Sequence, residues 1–139
     1  MQQSKFIAQT SIPASLVRAV SRQVGGWKEL QRIAEDVARN GANVGWSGFT
    51  YYADTVKFFH RNRADIVAFL ESQAEGVGYE SHLQMVFEFR GLDASYGEIA
   101  LALYSDSLKQ LFDKNTQVAN AIAWYVLEQV ASDVADFAG

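Results

Sequence analysis

Cysteine is absent from the chain, which excludes a disulfide framework, a thiolate nucleophile and a cysteine-ligated metal. Proline occurs once, at Pro13, and histidine twice, at His60 and His82. Neither histidine has a second ligand one helical turn away, and HExxH-type spacing is missing, so no metal or cofactor is expected. No run approaches the ~18 consecutive apolar residues of a membrane span, and the opening MQQSKFIAQTSIP lacks the apolar stretch of a secretion signal. The expectation is a cytoplasmic protein without a membrane association. The phosphate-cradling patterns GxGxxG and GxxxxGK[ST] are missing, as is the GxSxG nucleophile elbow. Nothing at motif level points to an enzyme.

What is present is globular composition. Of the 139 residues, 49% are hydrophobic and 20% charged, far from the profile of a disordered chain. That length suits one domain spanning residues 1–139.

Helical periodicity dominates. Ile12, Leu16, Val20 and Val24 recur every four residues behind Pro13, whose fixed φ suits the first turn of a helix, and Gly25-Gly26 ends the pattern. Trp27, Leu30, Ile33, Ala34 and Val37 form the next stripe, stopped at Asn40-Gly41. A glycine-rich loop follows at 41–48, anchored by Trp46. Phe49, Tyr52, Val56 and Phe59 then open an aromatic helix. Asn62 is placed to cap another helix that buries Ile66, Phe69, Leu70 and Ala74, although the two segments also read as one longer bent helix.

Beyond these, Ser95-Tyr96-Gly97-Glu98 matches a capping box. Thr116 to about Phe137 has no interior glycine or proline and reads as the longest helix. The expected fold is all-α, a multi-helix bundle of six to seven helices around that C-terminal helix. A short strand or hairpin at 84–90, where Met85, Phe87 and Phe89 alternate with polar residues, is the one β candidate.

Charge divides along the chain. Through Arg63, nine Lys/Arg stand against four acids, leaving +5; from Ala64 onward three stand against twelve, leaving −9. The acids that could form an outward negative face include Glu71, Glu75, Asp113, Glu128, Asp133 and Asp136, with Tyr51 as an aromatic anchor for a partner protein. Such a face can imitate nucleic-acid phosphates and occupy a Lys/Arg groove. The opposite possibility is a small nucleic-acid-binding or regulatory module that uses Arg18, Arg22, Arg32 and Arg39 as phosphate contacts. A third is an enzyme site formed by Tyr51, Tyr52, Asp54 and His60, but Asp54 and His60 lie about 240° apart around a helix and diverge.

The stretches GWSGFTYYADTVKFFHRNRADIVAFLE (45–71) and NAIAWYVLEQVA (120–131) resemble a family of small, functionally uncharacterised proteins carried by phages, plasmids and their bacterial hosts. The resemblance implies a genomic setting in which small acidic proteins, anti-CRISPR proteins among them, inhibit host defence. It makes a bacterial defence complex, such as a CRISPR effector, the expected partner of a monomer or homodimer.

Overall fold

In a computed structural model, residues 2–40, 52–74, 78, 103 and 113–138 are described. Of these, 88% are helical and none lies in a strand. Among the described residues, six helices follow in order: α1 (Gln3–Gln9), α2 (Ala14–Val24), α3 (Trp27–Asn40), α4 (Tyr52–Arg61), α5 (Arg63–Gln73) and α6 (Asp113–Ala138). The fold is all-α with a long C-terminal helix, as the periodicity predicts. The strand candidate at 84–90, the capping box at 95–98 and the loop at 41–48 lie outside the described residues.

Tertiary contacts gather into two units. The first comprises residues 1–54 and 126–139, the second 55–125. Helix α6 contributes its C-terminal half to the first and its N-terminal half to the second.

In the first unit, α2 buries Leu16, Val17, Ala19, Val20 and Val24, the ladder read from the sequence together with its flanking positions. Pro13 is the N-cap of α2 rather than a first-turn residue. Its carbonyl accepts the amides of Leu16 and Val17 at 3.0 and 3.1 Å, so the missing proline N–H costs no helical bond.

The end of α2 is specified by backbone geometry. Gly25 takes φ 108°, its amide donating to the Arg22 carbonyl, while the Gly26 amide donates to the Ser21 carbonyl at 2.8 Å. These are the two bonds of a Schellman motif, which needs a left-handed residue after the helix. Gly26 is also left-handed, and its carbonyl accepts the Leu30 amide to start α3. Leu30, Ile33 and Ala34 are buried on α3.

Helix α1 has no counterpart in the sequence reading. A seven-residue helix is unstable alone, and α1 buries only Phe6. The Phe6 ring meets Trp27 at 5.7 Å between centroids and Phe137 edge-on at 5.6 Å. One aromatic side chain thus ties α1 to α3 and to the end of α6.

In the second unit, Phe58, Phe59, Ile66, Phe69 and Leu70 of α4 and α5 are buried. Asn62 separates the two helices, but its side chain makes no N-cap bond to α5. Instead its amide Nδ2 donates back to the Phe58 carbonyl at 2.9 Å, closing the end of α4. The Asn62 carbonyl still accepts the Ile66 amide, so the pair is close to the single bent helix that the spacing also allows.

Polar bonds join these helices to α6. Thr55, fully buried, donates its hydroxyl to Asn120 Oδ1 at 2.5 Å. The Tyr125 hydroxyl donates to Gln73 Oε1 at 2.9 Å.

Along α6 the buried positions are Val118, Ala119, Ile122, Ala123, Val126, Leu127, Val130, Ala131 and Val134. They repeat every four residues, whereas a helix turns every 3.6, so the buried stripe advances about 40° per repeat. From Val118 to Val134 it winds through about 160°. This is why α6 reads as apolar over much of its girth.

Two substitutions test these interactions. Gly25→Ala should destabilise the protein by about 1–2 kcal/mol in urea unfolding, the cost of a left-handed alanine, because a Cβ there meets only the Glu29 side chain, at 3.9 Å. Thr55→Val should cost about 1–3 kcal/mol by depriving Asn120 of its donor.

Candidate functional site

The described partner-binding residues are divided between the two units. Glu71 is exposed on the last turn of α5, and Asp113 is the first residue of α6; both belong to the second unit. Glu128 and Asp133 are half-buried and Asp136 is exposed on the part of α6 that belongs to the first unit. Tyr51 and Glu75 lie outside the described residues.

Among the described residues, Asp133 and Asp136 are brought into one concave feature. They line a cleft of about 380 Å³ with Phe6, Gln9, Thr10, Ser11 and Phe137. Spacing i, i+3 puts both carboxylates on one face of α6. The segment after α1 supplies the facing wall. There the Thr10 hydroxyl donates to Asp133 Oδ2 and accepts the Ile12 amide at 3.2 Å, so Asp133 is held while Asp136 remains at the surface.

The charge pattern on α3 bears on how free these acids are. Arg32 bonds Glu29 at 2.5 Å and Asp36 at 3.0 Å, and Arg39 lies 3.8 Å from Glu35. Hydrogen bonds from Arg32 hold the Glu29 carboxyl below its usual range. All these pairs follow from i, i+3 and i, i+4 spacing on an exposed helical face, and each is individually weak. Their effect here is on charge: two arginines of the N-terminal excess have carboxylate partners on their own helix. Among the described residues, neither Asp133 nor Asp136 is ion-paired.

A second cleft, of about 450 Å³, opens in the same unit between α1 and α2. It is lined by Gln3, Ser4, Ile7, Arg18, Ser21 and Arg22. Sequence reasoning named the two arginines as phosphate contacts, but not the α1 residues opposite them, since nothing in the sequence marks α1 as a helix.

The described residues hold no cluster of three or more metal-ligating side chains, and none of their helices is long and apolar enough to cross a membrane. His60 is half-buried on α4, with both ring nitrogens shielded and without a hydrogen-bond partner among the described residues. Its ring stands edge-on to Phe59 at 5.1 Å. Burial, with Arg63 adding to it, pushes its pKa down. Asp54 is on the same helix, but its side chain lies outside the described set, and so do Tyr51 and Tyr52.

The His60 shift gives stability a pH dependence. Because the folded pKa lies below the unfolded value of about 6.5, the unfolded chain binds the proton more readily. Stability is therefore complete above about pH 6.5 and declines as pH falls through the folded value. His60→Gln, which cannot titrate, should lessen the loss of urea midpoint between about pH 7.5 and pH 5.5 relative to the parent chain. An unchanged difference would remove His60 as its source.

Comparison with characterised proteins and with solved structures finds no match to this chain. Residues 11–138 match a family described as a domain of unknown function, DUF7222. The match takes in α2 to α6 and every described residue of the acidic cleft except Phe6, Gln9 and Thr10. The chain belongs to the DUF7222 family.

Proposed function

We propose that this protein works by binding another protein rather than by catalysis, laying the carboxylates of α6 against a basic surface of its partner. One observation supports this reading above others. Asp133 and Asp136 converge on a cleft beside Phe137 with no cation paired to them among the described residues, while Arg32 and Arg39 are matched on α3. An exposed carboxylate beside an aromatic edge suits a lysine or arginine side chain, the group that lines nucleic-acid-binding grooves.

The resemblance to mobile-element proteins gives that partner a class. A bacterial defence complex, such as a CRISPR effector, carries a basic groove for nucleic acid, and occupying it would inhibit the complex. Glu71, Glu128 and Asp113 would add to the field that steers association. Direct nucleic-acid binding across α2 and α3 is the weaker reading, because two of its four arginines already have carboxylate partners.

The test is affinity capture from a bacterial host, with the chain as bait. A retained effector subunit should be released as salt rises from about 0.05 to 0.5 M, a range over which screening shortens several-fold. Asp136→Lys, at an exposed position, should weaken capture without altering the helical circular dichroism. Retention that is indifferent to both salt and Asp136→Lys would remove the electrostatic reading.

A further inference from the structure

The cleft between α1 and α2 is independent of the acidic one and has the opposite chemistry. Arg18 and Arg22 sit one turn apart on α2, both exposed, and both line it. Neither has a carboxylate partner among the described residues, unlike Arg32 and Arg39. Around them stand neutral donors: the Gln3 amide and the Ser4 and Ser21 hydroxyls. Ser21 is only 4% exposed, yet its side chain borders the cleft and makes no hydrogen bond to a described residue. Ile7 supplies an apolar wall.

We propose that this cleft is a binding site for a terminal phosphate group, a phosphomonoester dianion. Two guanidinium groups carry ten N–H donors in forked geometry and match tetrahedral oxyanions bidentately. Their charge of +2 balances the −1.5 to −2 of a phosphomonoester near neutral pH. A nucleic-acid backbone presents singly charged diesters in a row and is met by a stripe of cations. The described arginines form no such stripe, since those that would extend it along α3 are matched to carboxylates there. A cleft of about 450 Å³ lies within the range that encloses small ligands, and the two cations stand in one concavity. Hydroxyl and amide donors from the facing helix would satisfy phosphate oxygens that the arginines leave open.

The experiment is isothermal titration of the full chain at low ionic strength with inorganic phosphate, adenosine 5′-monophosphate and adenosine. Two matched single-stranded oligonucleotides, one 5′-phosphorylated and one ending in a 5′-hydroxyl, complete the set. Inorganic phosphate and the monophosphate should bind and adenosine should not. The phosphorylated oligonucleotide should bind more tightly than its hydroxyl twin. Arg18→Gln and Arg22→Gln, both at exposed positions, should each weaken the phosphate affinity by about tenfold, the order expected when one charge-assisted bidentate contact is lost. Far-ultraviolet circular dichroism of both variants should match the parent, so that loss of binding is distinct from loss of fold. The proposal is overturned by absence of phosphate binding at millimolar concentration, by binding unchanged in both variants, or by equal affinity for the two oligonucleotides. Equal affinity would assign the cleft to backbone diesters instead.

Discussion

The spacing of apolar side chains along α6 is the constraint on which the rest depends. A helix that buried every 3.6th residue would keep one face toward one neighbour. By repeating at four, from Val118 through Ile122, Val126, Val130 and Val134, α6 turns its buried face steadily along its length. Its first half gives Val118 and Ile122 to the buried set of the second unit, and its second half gives Val126, Val130 and Val134 to that of the first. The companion row contributes the small residues Ala119, Ala123 and Ala131, and each buried methylene along the stripe adds about 0.8 kcal/mol. The polar bonds to α6, from Thr55 to Asn120 and from Tyr125 to Gln73, then select one register among the sliding arrangements an aliphatic stripe would tolerate.

The same rule of helical neighbours governs charge. Glu29, Arg32 and Asp36 lie three and four residues apart, so α3 satisfies its own cation before any other element can. On α2 no acid is present, and Arg18 and Arg22 are left without that local option. Helix α3 carries three cations against three acids and so adds nothing to the +5 counted through Arg63, which rests on residues elsewhere, Arg18 and Arg22 among them.

This explains what could be read in advance. The four-residue ladder of α2, the stripe of α3 and the Gly25-Gly26 stop are local properties, and each stands where the spacing puts it. Helix α6 starts at Asp113, three residues before the expected Thr116. Asn62 was legible as a boundary but not as the residue that closes α4 by bonding backward, since a cap and a back-bond use the same side chain. Helix α1 was not legible because its stability comes from Phe6 meeting Trp27 and Phe137, residues 21 and 131 positions away. The acidic residues could be counted but not placed. Spacing alone pairs Asp133 with Asp136, yet the Thr10 hydroxyl that holds Asp133 comes from the far end of the chain.

Both clefts share α1 as a wall. Gln3, Ser4 and Ile7 face the arginines of α2, whereas Phe6 and Gln9 face the carboxylates of α6. On a helix of 3.6 residues per turn those two sets point in directions more than about 120° apart, which lets seven residues serve two sites of opposite sign. Because so short a helix cannot hold itself together, the shape of both clefts rests on the Phe6 ring staying between Trp27 and Phe137.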